Sequence, residues 1–451
     1  MTAGMGLVGI SLLLSLGLAA IRIPVAYAVL AGASFGIYLL YSVGDGGGFD
    51  ATGGLEPLLT ILADVPYSFA HSYELATIPL YILLGHVAQR VGITSDVFSA
   101  LRVILSGTRA GLVMASLGGC AGFSAISGSS VACAAAMGRV AVPEMLSRGY
   151  SQTLAAGAVA AGGTLGSLIP PSIAFLLFAI LAEQSLAQLF LAGIFPGLLT
   201  LLGFVLTVFL WSRLKPGDTP DARSAAPWAE KLRALGLLWP AALILGIIVG
   251  GLVTGLFTVI QAAAVSVLAA LLIGWARRRL NATEFLAALK RTCLQSGALF
   301  AISFGAKAFT VLVAGADMST AMIEWMTASS IDGWMVIAVI VLALLLMGMF
   351  LDPAGIILLA VPVTLPVVMG LGYDVVWYAV IFVKVLEIGL ITPPLGLNIF
   401  ALKASLDVSD SVSLESIYKG ALAFLAIDLV VLVLLLAFPE ISLFLPDLLG
   451  Q

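Results

Sequence analysis

The sequence predicts an all-α polytopic membrane protein built as an inverted repeat, each half carrying five crossings and one re-entrant hairpin. Three observations predict it. Of 451 residues, 61% are hydrophobic and only 10% charged, with a mean hydropathy of +1.16, against roughly 25% charged residues in soluble domains. Apolar runs of the ~20 residues needed to cross a ~30 Å hydrocarbon core recur from end to end. Helix breakers recur at one fixed spacing along the two halves.

Apolar runs between polar breaks place ten crossings, near 5–21, 24–41, 75–90, 151–181, 187–212, 236–254, 257–276, 294–314, 375–404 and 417–439. Two further stretches, 110–142 and 334–369, are too long for one span and are broken centrally, by Ser127-Gly128-Ser129-Ser130 and by Asp352-Pro353. Both are expected to be hairpins that enter and leave on one side. Segments 57–72, 93–106, 282–292 and 317–329 are amphipathic and short, which suits helices lying in the interface plane. The polar stretch 213–235 is a cytoplasmic linker between a first repeat, 1–212, whose residues 1–72 supply scaffold helices, and a second repeat, 236–451. The opening Met1-Thr2-Ala3-Gly4-Met5-Gly6 has no basic region, so no cleavable leader is expected. Cys120, Cys133 and Cys293 lie in apolar helical runs, where a cysteine is ordinarily a small packing residue.

Lysine and arginine favour cytoplasmic loops. With the N-terminus outside, all of the 20 basic residues except Lys307 and Lys384 fall on the cytoplasmic side, and those two lie within spans. Acidic residues such as Asp45, Asp50, Glu56, Asp64, Glu183, Asp317 and Glu440 populate the outer face. Counting the two broken stretches as full crossings would put several arginines outside, which favours hairpins. Both termini are then external.

The halves align at an offset of 223 residues without a gap. Pro143 falls on Pro366, Gly149-Tyr150 on Gly372-Tyr373, Gly166 on Gly389, Pro170-Pro171 on Pro393-Pro394, and the hairpin tip Ser129 on Asp352. Five crossings are an odd number, so the second half starts on the opposite side from the first. That is the architecture by which secondary transporters build two access states from one fold.

Irregular backbone at membrane depth is tolerated only where protein or a water-filled cavity surrounds it. Each proline of the two pairs lacks an N–H and leaves a carbonyl without its helical donor, at Gly166 and Ser167 in one half and at Gly389 and Leu390 in the other. Freed carbonyls beside a hydroxyl suit a hard cation, and half-helix N-termini favour anionic groups. One proline in a span is ordinarily a kink, but two pairs at matched positions, each set against a hairpin tip, point to a site. Ser127, Ser129 and Ser130 have an ordinary role in capping the second arm of their hairpin, and Asp352 before Pro353 has the form of a cap followed by proline at the first helical position. Capping and ligand binding are compatible, and an ionisable group deep in the bilayer is a functional candidate. Lys384 and Glu387, three apart on one helix, are expected to form a local ion pair. Glu387, just before a break, is a weaker site candidate. Lys307 has no evident partner, and neither His71 nor His86 belongs to a metal or triad constellation.

The runs Ser127-Gly128-Ser129-Ser130-Val131-Ala132, Leu165-Gly166-Ser167-Leu168-Ile169-Pro170-Pro171-Ser172, Leu189-Phe190-Leu191-Ala192-Gly193-Ile194-Phe195-Pro196-Gly197 and Gly389-Leu390-Ile391-Thr392-Pro393-Pro394-Leu395-Gly396-Leu397-Asn398 resemble the signature segments of the large membrane subunit of tripartite ATP-independent periplasmic (TRAP) transporters, the DctM or SiaM type. The resemblance covers nearly the whole chain. It implies an elevator-type secondary transporter in a bacterial inner membrane, coupled to sodium ions, that imports an organic acid anion. It also implies a small four-helix membrane subunit and a periplasmic substrate-binding protein as partners; in an inner membrane, the external termini read from the basic residues are periplasmic. Sodium is expected at Ser127, Gly128, Ser130, Thr164, Gly166 and Ser167 in one half and at Asp352, Gly389, Leu390, Thr392 and Asn398 in the other, with substrate near Ser127, Ser129, Ser172 and Asp352. The chain departs from the family at Phe257-Thr258-Val259-Ile260-Gln261-Ala262-Ala263 and at Val385 beside Lys384, which bears on packing and ion stoichiometry. A stand-alone sodium-coupled dicarboxylate or citrate carrier of similar design is the alternative. No nucleic-acid partner is expected, and no cluster offers a nucleophile with a base or a metal-ligand set for an enzyme.

Overall fold

The computed structural model describes residues 2–43, 49–220, 225–318, 320, 321, 324, 332–406 and 412–449. Among them no β-strand forms and the chain is a succession of helices, as a bilayer requires when backbone groups must pair within their own segment. Thr2–Ala20, Val25–Ser42, Leu186–Leu214, Val259–Ala276 and Leu414–Ala437 are continuous helices at expected crossings. The crossing near 75–90 is helix Thr77–Val91 entered through a tight turn at Tyr73–Ala76. That near 236–254 is Trp239–Val253, which widens into a π-helical turn at Gly246–Gly250. Helices Leu55–Ala70 and Ile93–Ile104 form at two of the expected amphipathic segments. Most of the segment expected at 317–329 lies outside the described residues. The linker contains a helix, Trp228–Leu235, bent by 41° from Trp239–Val253, and the Ala226 N–H bonds Ser106 Oγ at 3.0 Å, tying the linker to the first half.

The separate interfacial helix expected at 282–292 does not exist. Asn281 caps a single helix running Ala282–Gly315 through both that segment and the following crossing. From Ala282 to Ser296 no proline or glycine interrupts a run rich in good helix formers. The matching stretch of the first half carries Pro66 and ends in the Tyr73–Ala76 turn, so it breaks there. Cys293 lies on this long helix and is exposed, so its packing role is overturned, whereas Cys120 and Cys133 are buried. A further helix, Glu440–Leu448, follows Pro439 and sets Phe444 edge-on to Phe195, with ring centroids 5.6 Å apart.

The two hairpins and two broken helices form at the expected positions. Hairpin arms Gly111–Ser127 and Ser130–Ser147 meet at Gly128, and arms Gly333–Gly348 and Pro353–Gly370 meet before Asp352. Gly128 turns with φ +63°, and a Cβ there would stand 2.6 Å from the Pro171 carbonyl oxygen, so glycine is required both for the turn and for the close approach. The first broken helix runs Gln152–Gly163, a tight turn Thr164–Ser167, then Ile173–Ala182. The second runs Val375–Ile391 and resumes at Leu397–Ser405. In both, the Pro-Pro bond is cis.

Each hairpin is seated on the broken helix of its own half, through glycine. A Cβ on Gly166 would stand 2.6 Å from the Ser130 amide nitrogen, and one on Gly389 would stand 2.6 Å from the Gly348 backbone. The Ile173 N–H also donates to the Gly128 carbonyl at 3.2 Å. Helix Val375–Ile391 runs through the centre, buried at every position from Val376 to Ile391, as a helix that is apolar all round must be.

Candidate functional site

Burial of that central helix cuts its two ionisable residues off from water. The ammonium of Lys384 donates to Asp428 Oδ1 on Leu414–Ala437 and, at 3.0 Å, to Thr200 Oγ1 on Leu186–Leu214. Glu387 instead accepts from Ser130 Oγ at 2.7 Å. The local Lys384–Glu387 ion pair expected from their spacing is therefore overturned. Residues three apart on a helix point about 60° apart, and here each side chain meets a better-placed partner on another helix.

Glu387 belongs to the second half but reaches the first. Ser130, at the start of the second arm of hairpin one, also shares a hydrogen bond of 2.9 Å with Ser167 in the first break. Asn398, at the start of the resumed second helix, is buried against Gly163, where a Cβ would meet Asn398 Nδ2 at 3.1 Å and the Ser130 carbonyl oxygen at 3.2 Å. The expected residues Ser130, Gly166, Ser167 and Asn398 thus come together, and Glu387 joins them.

Charge and satisfaction both mark this cluster. Lys384, Asp428 and Glu387 are each 0% exposed, and the lysine is paired with Asp428, so Glu387 has no counter-charge of its own. Glu387 Oε2, Asp428 Oδ2 and both amide atoms of Asn398 have no hydrogen-bond partner, although buried polar atoms are nearly always paired. An uncompensated buried charge costs several kcal/mol. A monovalent cation held by Glu387 Oε2, Asn398 Oδ1 and the oxygens of the two serines would balance an ionised Glu387 and occupy those two free oxygens.

The freed carbonyls divide. In the first break the Ile169 N–H turns back to the Leu165 carbonyl at 3.1 Å, and the prolines have no N–H, so Gly166 and Ser167 keep carbonyls without a helical donor. In the second, the Thr392 N–H donates to the Gly389 carbonyl at 3.1 Å. The expectation that Gly389 is freed is therefore corrected. A donor three residues on closes the helix end, and only Leu390 is left facing the prolines. Thr164 and Thr392 spend their hydroxyl protons on their own helices, bonding Ala161 at 2.7 Å and Ile388 at 2.6 Å, and each keeps lone pairs.

The two hairpin tips face one cavity of about 210 Å³, lined by Gly128, Ser129, Ser130, Ser167, Gln295, Leu299 and Asp352 among others. It is smaller than the ~300–1,000 Å³ of sites for drug-sized ligands, which suits a small solute. Ser129 caps the Ala132 N–H at 3.4 Å and Asp352 caps the Gly355 N–H at 3.1 Å with Pro353 at the first helical position, so the capping roles hold while both side chains border the cavity. Ser127 and Ser172 are set apart from it, behind the first tip, near Tyr81 and Leu176. There Ser172 caps the Phe175 N–H at 3.1 Å.

Sequence reasoning missed Asp428, Gln295 and Thr200, and it ranked Glu387 too low. For Asp428 a signal existed, since a lone carboxylate inside an apolar crossing is a functional candidate by default. Gln295 and Thr200 carried none, because each acquires its place only through contacts with distant helices.

Two inverted halves, interlocked at paired hairpin tips and broken helices, define a multi-pass membrane transporter. Residues 12–441 match the family described as the tripartite ATP-independent periplasmic transporter, DctM component. The chain belongs to this family, as a TRAP large permease. It is 33% identical, over 88% of its length and 94% of the relative's, to the C4-dicarboxylate TRAP transporter large permease protein DctM of Pseudomonas aeruginosa. It is 29% identical to the isethionate TRAP transporter permease protein DctMQ of Oleidesulfovibrio alaskensis, covering 85% of this chain but 60% of that one. Among solved structures, the Alcanivorax borkumensis YdaH transporter shares the fold with a TM-score of 0.65 at 15% identity, over 87% of this chain and 90% of that one.

Proposed function

We propose that this chain is the sodium-coupled large permease subunit of a TRAP system that imports a small organic acid anion by an elevator movement. On this reading a periplasmic binding protein delivers the anion, and a small four-helix membrane subunit braces the scaffold in a bacterial inner membrane, with both termini periplasmic. The names of these two relatives support an anionic solute, since C4-dicarboxylates and isethionate are both anions.

The observation that carries the coupling is the tip cavity itself. Asp352 borders it, and no lysine or arginine does among the described residues. An anionic solute there faces a carboxylate across low-dielectric surroundings, where like charges repel strongly. A small cation bound at the tips removes the repulsion, so solute and cation bind together, which is symport.

In proteoliposomes holding both membrane subunits, with binding protein outside, Asp352→Ala and Thr392→Val are expected to raise the sodium concentration for half-maximal uptake about ten-fold, the effect of losing one ligand worth ~1.4 kcal/mol. The amount of folded protein in detergent should not change. Robust uptake of free solute by this chain alone would instead favour a stand-alone carrier.

A further inference from the structure

We propose that the outer cavity at Lys307 is a transfer subsite, where the carboxylate of an incoming anion binds Lys307 by displacing Glu183. The inference rests on the reading of the solute as an organic anion. Lys307 Nζ lies 2.6 Å from Glu183 Oε1 and is part-exposed. The cavity around it measures about 630 Å³ and is lined by Ser68, Ser72, Tyr73, Gln184 and Ser185 as well as the pair. It therefore offers one cation, several neutral hydrogen-bonding groups and room for a small solute.

Three facts make Lys307 a receiver rather than a brace. On the orientation read from the sequence, every other basic residue is cytoplasmic except Lys384, which is sealed and paired with Asp428. An anion arriving from outside thus meets Lys307 as the accessible positive charge. Its present partner is replaceable: the Glu183 side chain is 75% exposed and sits at a helix end with φ +52°, and ion pairs this exposed contribute little to stability. The Lys307 ammonium, by hydrogen bond and by charge, holds the Glu183 carboxyl below the usual range, so the position already favours an ionised carboxylate.

The third fact is continuity. Gln295 and Leu299 border the tip cavity on the same helix, Ala282–Gly315. Lys307 stands eight residues beyond Leu299, about 12 Å at ~1.5 Å per residue. One helix therefore presents both cavities, and a solute released by Lys307 has a short path to the hairpin tips.

The test compares Lys307→Met and Glu183→Gln in the complete reconstituted complex, with succinate as probe. Lys307→Met is expected to raise KM at least five-fold with kcat little changed. Glu183→Gln, which removes the internal competitor, is expected to lower KM. A merely structural pair gives the same direction in both variants, and that result overturns the proposal. A second measurement needs no uptake. An impermeant amine-acylating reagent applied from outside, read at Lys307 by peptide mass, should label Glu183→Gln faster than the parent, and succinate should slow that labelling relative to chloride at equal ionic strength. Absence of protection also overturns the subsite. Sodium dependence is recorded in parallel: its loss would remove the coupling reading while leaving the labelling result to decide the subsite.

Discussion

Glu387→Gln is expected to cut uptake by the complete complex ten- to a hundred-fold while leaving the protein at least as stable to heat in detergent. Glutamine keeps an acceptor for the Ser130 hydroxyl, 2.7 Å away, so the tie between the second half and the first hairpin survives. What disappears is the buried carboxyl that can ionise to balance a bound cation. Hydrogen bonds and contacts to a charged group are worth ~1.5–3 kcal/mol, which sets the size of the functional loss. Glutamine is no costlier to bury than the carboxyl in either of its protonation states, which sets the sign of the stability change. Uptake at the parental rate, with the parental sodium requirement, would show that Glu387 is structural only.

The second large effect concerns Lys384. Lys384→Met alone leaves Asp428 buried without its counter-charge, and Asp428→Leu alone strands Lys384; each is expected to destabilise the protein by ~3–5 kcal/mol. The double variant Lys384→Met with Asp428→Leu replaces both charges by apolar groups of similar size and is expected to recover most of that loss. Thermal unfolding of the four proteins closes the cycle. Additive losses in the double variant would mean that the two residues do not act as a pair.

Features that depend on local chain chemistry are legible in the amino-acid sequence. The Pro-Pro pairs, the Gly128 turn, the Asp352-Pro353 cap and the matched offset of the halves each follow from what one or two residues permit in a helix. The continuity of Ala282–Gly315 is legible too, in the absence of a breaker before Gly297, but the amphipathic character of 282–292 reads as a separate interfacial segment. Features set by contacts across the fold are not legible. Glu387 and Ser130 are 257 residues apart, and Lys384 and Asp428 are 44 apart. Helical spacing alone puts Lys384 with Glu387, and only the packing of neighbouring helices around Val375–Ile391 assigns each its partner. The Gly389 carbonyl illustrates a finer limit, since one amide at Thr392 decides whether it is free.

The sodium-coupled reading meets its most direct test in proteoliposomes that contain both membrane subunits, with ligand-loaded binding protein outside and each ion gradient imposed separately. An inward sodium gradient at equal pH should drive accumulation of the solute, an inward proton gradient without sodium should not, and Glu387→Gln should lower the sodium-driven rate. Accumulation driven by protons and indifferent to sodium would contradict the account.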